Sequence, residues 1–325
     1  KKTFVILDAH ALIHRAYHAL PAFTNSAGEP TGALYGVTTM TLKIIENFDP
    51  DYIVAAFDLP KPTFRHLTYG AYKAGRVKAE DALVAQLESA RKLFEAFGIP
   101  VLDAEGFEAD DVIGTLVEQY KKTPGLTIVI ASGDMDTMQL IEGDKVKVFT
   151  LKKGLNDTIL YNEEAVQNRF GFGPLQLVDY KGLRGDASDN IIGVPGIGEK
   201  TATTILQAFG SIEKLYKTIE KDRASVLKSG ISERMVSLLE EHNEDAFFSK
   251  TLATIRLDAP VKYIFPDGKY KDLVDTDALL GLFSHYEFRS LNHRIKTLFS
   301  VVDDSPKNEE VIDPIFLYKT AVALW

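Results

Sequence analysis

Near its start the chain carries an apolar run that ends in a carboxylate, Phe4-Val5-Ile6-Leu7-Asp8. Two later runs repeat the pattern: Tyr52-Ile53-Val54-Ala55-Ala56-Phe57-Asp58, and Thr127-Ile128-Val129-Ile130-Ala131, which leads into Ser132-Gly133-Asp134. Short continuous apolar runs are typical of the buried strands of a parallel sheet. Because ligands of open α/β folds bind at the carboxyl ends of the strands, these acids are expected to lie at a ligand site.

Helical patterns alternate with these runs, so residues 1–170 predict an α/β fold with a mostly parallel central sheet flanked by helices. The predicted helices are Gly32 to Asn47, Ala79 to Phe97 and Phe107 to Lys121, with a further strand at Lys145 to Phe149. From about Gly171 the strand signals fade, and short helices with glycine turns predict a helical domain over residues 171–298. Its predicted helices are Pro174 to Leu183, Lys200 to Phe209, Ser211 to Thr218 and Ser232 to Lys250.

Residues 299–325 differ in composition from the rest of the chain. The acidic, polar segment Asp303 to Glu310 is typical of a linker, and the apolar run Ile315 to Trp325 follows it. We expect this part to be a linker and the truncated start of a following domain.

The composition excludes several kinds of site. The chain has 325 residues, 45% of them hydrophobic, and no cysteine, so disulfides, zinc-thiolate sites and thiol catalysis are excluded. No apolar run approaches the ~20 residues that a membrane span needs, and we expect a cytoplasmic protein. The net charge of −9 counts against a nucleic-acid partner, but it equals the number of acids in the candidate site described next.

Nine acidic residues end strands or open turns, where isolated carboxylates are unfavourable unless a cation is near. They are Asp8, Asp58, Glu108, Asp110, Asp111, Asp134, Asp136, Asp186 and Asp189. Helix capping is an alternative explanation for the acids at 108–111, and turn formation for those at 186 and 189. Five such clusters are difficult to explain as independent accidents.

A set of carboxylates favours Mg²⁺ or Mn²⁺ over zinc. Two such ions about 4 Å apart support the hydrolysis of phosphate esters in nucleases and phosphatases. His10, His14 and His18 recur every four residues, but a structural zinc site needs a fourth ligand that the sequence does not show. The sequence therefore predicts two hard cations bound by carboxylates.

A basic and aromatic insertion follows Asp58, between Leu59 and Lys78. It combines phosphate-directed charge with rings on which bases stack, in Arg65, Tyr69, Tyr72, Lys73 and Arg76. A solvated helix face would have a similar composition, but a long insertion beside a site is usually functional. Arg15, seven residues after Asp8, is a further candidate for phosphate binding, with a surface salt bridge as the alternative.

A tight glycine turn leads into a predicted helix at Gly193-Val194-Pro195-Gly196-Ile197-Gly198-Glu199-Lys200-Thr201. Exposed amides in such a turn can bind a phosphate without reading base sequence. The candidate contacts are Gly193, Gly196, Gly198, Lys200 and Thr201.

These motifs together resemble the 5′ nuclease (flap endonuclease) domain of bacterial DNA polymerase I. The matching segments, in the order and spacing of that family, include Phe107-Glu108-Ala109-Asp110-Asp111, Ser132-Gly133-Asp134, Tyr72-Lys73-Ala74 and the stretch from Gly185 to Gly198. The resemblance extends from about Thr3 to Ile295. It implies a PIN-like 5′ nuclease core with a helical arch at about residues 60–80, and a C-terminal helical domain that contains a helix-hairpin-helix.

The resemblance also implies roles for the site residues. Asp8, Asp58, Glu108, Asp110 and Asp111 would hold or orient one metal ion, and Asp134, Asp136, Asp186 and Asp189 would surround the second. The arch would carry Tyr72, Lys73 and Arg76 toward the scissile phosphate, with Lys73 and Arg76 catalytic. The hairpin would grip the duplex backbone and bind a monovalent cation such as K⁺.

The implied activity is Mg²⁺-dependent hydrolysis of 5′ flaps and 5′ ends of duplex DNA in primer removal and repair. The substrate would be DNA with a 5′ flap, a nick or a 5′ end, recognised by structure. We expect a monomer in the bacterial cytoplasm, associated with the nucleoid, with a polymerase domain in the same native chain. The chain departs from the family pattern at Ala9, Met135 and Ile192, where glycine, lysine and proline are usual.

Two other functions remain open from the sequence. One is a catalytically inactive module that binds DNA junctions, although such a module usually loses ligands and all nine acids are present here. The other is a metal phosphatase for small molecules, which would need neither the glycine turn nor the basic insertion.

Overall fold

The computed structural model describes residues 1–153 and 157–299. A six-stranded sheet lies at its centre in the order β3-β2-β1-β4-β5-β6. The strands are β1 Lys2–Asp8, β2 Tyr52–Ala56, β3 Val101–Leu102, β4 Leu126–Ala131, β5 Val146–Lys153 and β6 Asp157–Tyr161. The first five are parallel and β6 pairs antiparallel with β5, so the predicted mostly parallel sheet is confirmed.

Strand β1 occupies the middle of the sheet because it is apolar on both faces. Its alternate residues Phe4 and Ile6 pack into one core, and Val5 and Leu7 pack into another on the opposite face. In register, Asp8 lies beside Ala56 of β2, and Leu7 lies beside Ala131 of β4. The acids that follow these three strands therefore emerge at the same edge.

The helices of the first half are α1 Ala9–Ala19, α2 Gly32–Phe48, α3 Phe64–Thr68, α4 Asp81–Ala96, α5 Ala109–Tyr120 and α6 Glu163–Phe170. Three of these six helices, α2, α4 and α5, match the predicted positions closely, whereas α1 and α6 were not predicted. Strands β3 and β6 were not predicted from the sequence. A strand of two residues leaves no periodic pattern, and β6 is a short edge strand in which Tyr161 is the one buried residue.

The second half is helical, as predicted. Its helices are α7 Leu177–Arg184, α8 Glu199–Phe209, α9 Ile212–Lys228, α10 Glu233–Glu241, α11 Asn243–Ala253, α12 Thr276–His285 and α13 Asn292–Leu298. The single helix predicted from Ser232 to Lys250 is two helices, because the backbone leaves the helical conformation at His242. Helix α9 continues past the predicted end at Thr218, with a kink at Asp222.

The last described residues return to the first half of the chain. The Tyr270 hydroxyl donates a hydrogen bond to the Phe97 carbonyl at 2.8 Å, and the Tyr270 amide donates to the Asp51 carbonyl at 2.9 Å. Phe283 of α12 packs edge-on against Phe97. Residues 270–298 thus cover the face of the sheet that carries α1, α2 and α4.

The insertion after Asp58 is helical only at α3, and turns follow from Gly70 to Gly75. Within it the Lys73 amide donates to the Asp189 carbonyl at 2.9 Å, so the segment is tied to the loop after α7. The predicted linker and following domain, from residue 300 onward, lie outside the described residues. None of the helices in the described part of the chain is long and apolar enough to cross a membrane.

Candidate active site

Five predicted acids line one cavity of about 220 Å³ at the carboxyl edge of the sheet: Asp8, Asp58, Glu108, Asp110 and Asp134. Each is positioned by the end of a strand or the start of a helix. Asp8 ends β1 and caps α1, where its carboxylate accepts the Ala11 amide at 3.1 Å. Asp58 follows β2 and accepts the Ala109 amide of α5 at 2.7 Å.

The cavity is electrostatically unfavourable without a cation. Burial raises the pKa of Asp8 to about 7, against hydrogen bonds from Ser132 and Ala11, and the Asp134 and Asp58 carboxylates add to the rise. Burial also raises the pKa of Asp110 well above its ordinary value. The nearby carboxylates add to this rise, and that of Asp134 has the largest effect among them. The oxygen ligands and their crowding suit a hard divalent cation.

A larger cavity of about 930 Å³ adjoins the first, and Asp134 lines both. Asp136 and Asp186 lie on its wall, where the Lys181 ammonium bonds to both carboxylates. Burial raises the pKa of Asp136 to about 7 although Lys181 opposes it. Burial also disfavours ionised Asp186, but Lys181 and Ser188 outweigh it and hold its pKa at about 2.

Lys181 was not among the predicted site residues. Its position five residues before Asp186, in the last turn of α7, carries no pattern that relates it to Asp136 in a distant part of the sequence. Only the fold brings the two together.

Asp111 and Arg65 do not face either cavity, which corrects both predictions. The Asp111 side chain has no exposed surface, and the Arg65 guanidinium grips its carboxylate through contacts of 2.8 and 2.9 Å. Arg65 is 3% exposed and also donates to the Leu252 and Thr254 carbonyls at 2.9 Å each. The pair joins the insertion and α5 to the end of α11, and Arg65 is not available to contact DNA.

Tyr72 is also buried, so it cannot stack on bases as predicted. Its side chain is 3% exposed, and its hydroxyl lies 3.1 Å from carboxylate oxygens of both Glu108 and Asp189. Burial and these two carboxylates raise the pKa of the phenol. Tyr72 therefore packs the insertion onto the acids beneath it.

Lys73 and Arg76 line the smaller cavity, as the candidate catalytic cations should. Lys73 Nζ lies 2.7 Å from Glu108 Oε1, and the Arg76 guanidinium lies 2.5 Å from Asp189 Oδ1. Asp189 lines neither cavity, because its carboxylate is taken up by Tyr72, Lys73 and Arg76. That Asp189 surrounds the second metal with Asp136 and Asp186 therefore stays a prediction, and in this structure its carboxylate is bound to the insertion.

The predicted DNA-backbone contacts are only partly exposed. Arg15 lines the larger cavity, and Gly196, Gly198 and Lys200 are at the surface. Gly193 is buried, and its amide donates to the Ser249 hydroxyl at 2.9 Å, so it cannot bind phosphate. Its φ of +67° and a Cβ position 2.2 Å from the Gly185 nitrogen explain the glycine instead.

The turn leads into α8, which begins at Glu199 with Gly198 as its N-cap and Thr201 in its first turn. No side-chain hydrogen bond caps this helix. First-turn amides have no intrahelical acceptor and favour anions.

In the described parts of the chain, no three Asp, Glu or His side chains are arranged to hold a metal ion as they stand. Four of the predicted acids are bound to cations instead: Glu108 to Lys73, Asp189 to Arg76, and Asp136 and Asp186 to Lys181. The donor types and the raised pKa values fit divalent cations, but some of these ion pairs must open to admit them.

Two family models match consecutive parts of the sequence. The N-terminal resolvase-like domain of 5′-3′ exonucleases matches residues 3–171, and the C-terminal SAM fold of 5′-3′ exonucleases matches residues 172–276. Among solved structures, the T5 5′-exonuclease with bound zinc aligns with a TM-score of 0.61 and 21% identity, covering 93% of this chain and 100% of that one. The Rad2 catalytic core in complex with DNA aligns with a TM-score of 0.57 and 15% identity, covering 92% and 93%.

Relatives at higher identity are bacterial DNA polymerases I. That of Bacillus caldotenax is 39% identical over 310 residues, which cover 95% of this chain and 33% of the relative. That of Bacillus subtilis is 38% identical over 295 residues, covering 91% and 32%. The chain thus spans about a third of the length of these relatives. Since the two models together match most of the sequence, the chain belongs to the 5′-3′ exonuclease family.

Proposed function

We propose that this chain is a divalent-metal-dependent, structure-specific 5′ nuclease that hydrolyses phosphodiester bonds at 5′ flaps and 5′ ends of duplex DNA. The observation that carries the proposal is the acidic cavity at the carboxyl edge of the sheet, with Lys73 and Arg76 on its wall and Asp134 shared with the larger cavity. Family membership gives the reaction class. The cations beside the acids suit a polyanionic substrate.

Two Mg²⁺ or Mn²⁺ ions, when bound, would activate a water and stabilise charge on the phosphate and the departing oxygen. Asp8, Asp58, Asp110 and Asp134 would hold the ion in the smaller cavity, and Glu108 would join them once Lys73 leaves its carboxylate. Asp134, Asp136 and Asp186 would hold the second ion. The Ser132 hydroxyl, 2.5 Å from Asp8 Oδ2, orients the first of these ligands.

The remaining residues would position the DNA. Lys73 and Arg76 neutralise the scissile phosphate, and Arg15 contacts a neighbouring phosphate from the larger cavity. The amides of Gly196, Gly198, Lys200 and Thr201 would hold the duplex backbone, where a K⁺ ion would bind. Structural relatives in complex with DNA support this class of partner: a T5 flap endonuclease product complex, and human GEN1 with Holliday junction DNA.

The polymerase relatives support a proposal for the biological setting. We propose that the chain is the N-terminal part of a DNA polymerase I, acts as a monomer in the bacterial cytoplasm at the nucleoid, and removes primers during replication and repair. Its domains would be a catalytic core over residues 1–170 and a DNA-binding part over residues 171–298.

The test is cleavage of a 5′-labelled flap duplex in Mg²⁺, with the same strand alone, a blunt duplex and an EDTA reaction as controls. We expect cutting near the flap junction that needs Mg²⁺ and is faster than on either control DNA. Flap binding without cleavage would favour the inactive junction-binding module. Hydrolysis of a generic phosphomonoester without DNA cleavage would favour a phosphatase.

A further inference from the structure

One buried ammonium joins the two carboxylates assigned to the second metal position. Lys181 Nζ lies 2.6 Å from Asp186 Oδ2 and also bonds to Asp136 Oδ1. All three side chains are only 17% to 18% exposed. The two carboxylates beside it stabilise the charge on this ammonium.

The three residues come from different parts of the fold. Asp136 opens the 3₁₀ helix that follows β4, Lys181 lies in the last turn of α7, and Asp186 lies in the loop that follows α7. The ammonium therefore holds a carboxylate of the sheet half against a carboxylate of the helical half. Without a cation between them, these two carboxylates would repel each other.

A divalent ion that uses both carboxylates would need the place that the ammonium now holds. Two cations at contact distance repel each other, and more strongly where the surrounding protein lowers the dielectric constant. The second ion must therefore displace Lys181 Nζ, or its binding is weakened by repulsion from this ammonium. The smaller cavity differs in degree, because Lys73 bonds to only one of its proposed ligands, Glu108, and neither Lys73 nor Arg76 bonds to Asp8 or Asp110.

We infer that Lys181 is the built-in counter-cation of the second metal position. It holds Asp136 and Asp186 together before metal binds, and it competes with the second divalent ion, making that position the weaker of the two. Lys181 is thus a positioning residue for the metal ligands. The inference rests on the proposed function, because it assumes that these carboxylates bind metal.

Mn²⁺ titration followed by the electron paramagnetic resonance of free Mn²⁺ tests the inference without any cleavage assay. The variant is Lys181→Met, which keeps the length of the side chain and removes its charge. We expect the weaker Mn²⁺ site to tighten by about tenfold or more at pH 7.5, since removing a like charge near contact distance is worth at least this much. An unchanged or weaker second site would overturn the inference.

Lys250→Met is the matched control. Lys250 also bridges two acids, with Nζ 2.7 Å from both Asp179 and Glu213, and it is 21% exposed, yet it lines neither cavity. Its loss should leave both Mn²⁺ affinities unchanged. If the wild-type chain binds no Mn²⁺ at all, both the proposed function and the inference are wrong. If the second Mn²⁺ site has the same affinity in the wild type and in Lys181→Met, only the inference is wrong.

A second measurement uses only the wild-type chain and so does not depend on the variant folding. Lysine acetylation by an activated ester, read by peptide mass spectrometry, reports whether Nζ is bound or free. We expect Mg²⁺ to increase acetylation of Lys181 several-fold relative to Lys250, because the displaced amine becomes accessible. A Lys181 to Lys250 ratio that Mg²⁺ does not change would contradict displacement.

Discussion

Asp110 and Asp111 are neighbours at the start of α5, yet they lie in opposite electrostatic environments. Asp111 is fully buried and held by the Arg65 guanidinium, by the Glu108 amide at 3.0 Å and by the Arg256 amide at 2.8 Å. Asp110 lines the cavity, where burial and the carboxylates of Asp134 and Asp8 raise its pKa. The comparison teaches that full burial against the Arg65 guanidinium makes Asp111 structural, whereas Asp110 faces the other acids of the cavity and is available for a metal.

The largest expected effect is on catalysis. Asp110→Asn keeps the size of the side chain but removes a charge from the cavity, so metal binding and cleavage should both suffer. We expect single-turnover flap cleavage to fall by about 10³-fold, equivalent to about 4 kcal/mol of transition-state stabilisation. Asp144→Asn, at a side chain that is 97% exposed, is the control and should cleave at the wild-type rate. Wild-type activity in Asp110→Asn would place the metal elsewhere.

The next effect is on folding. Asp111→Asn leaves the buried Arg65 guanidinium without its charged partner, which typically costs about 3 kcal/mol or more. Urea unfolding should report this loss with or without Mg²⁺. The surface pair of Arg256 and Asp258, 2.5 Å apart, offers a control, because Asp258→Asn should change stability little. If Asp111→Asn kept its stability but lost metal binding, Asp111 would be a ligand after all.

A smaller effect is expected at the wall of the smaller cavity. Lys73→Ala should lower the single-turnover cleavage rate by about 30-fold, roughly 2 kcal/mol, while duplex affinity changes much less. Lys61→Ala is the control, since its ion pair with Glu105 is exposed and it lines neither cavity. Equal losses of rate and affinity would make Lys73 a general DNA contact.

The smallest expected effect is on the pH dependence of the free energy of unfolding in the absence of metal. The Asp8 pKa is about 7 in the folded chain against 3.8 ordinarily, so the folded state binds this proton more tightly than the unfolded state. The contribution of protonated Asp8 to the free energy of unfolding is therefore complete below about pH 4. This contribution is lost as the pH rises toward about 7. We expect Asp8→Asn in EDTA to stabilise the protein by on the order of 1–2 kcal/mol more at pH 8 than at pH 5, as measured by urea unfolding. A pH-independent difference would contradict the raised pKa.

Much of the fold could be predicted from local patterns. Strands β1, β2 and β4, which end at Asp8, Ala56 and Ala131, are continuous apolar runs, and α2 and α5 begin and end within two residues of their predicted bounds. Strand β3 and the break at His242 could not be predicted, because one is too short for a pattern and the other depends on packing between helices. The acids that line the smaller cavity could also be predicted, because they follow the predicted strands or lie at the start of α5.

The sequence by itself determined the sheet, the helical second half and the presence of an acidic site at the carboxyl edge, because strand polarity and apolar periodicity are local properties. Only the tertiary structure decided the partners of those acids. Arg65 reaches Asp111, Lys181 reaches Asp136, and Arg76 reaches Asp189 across separations of 46, 45 and 113 residues. Such ion pairs leave no local pattern, since they depend on where the folded backbone places each charge.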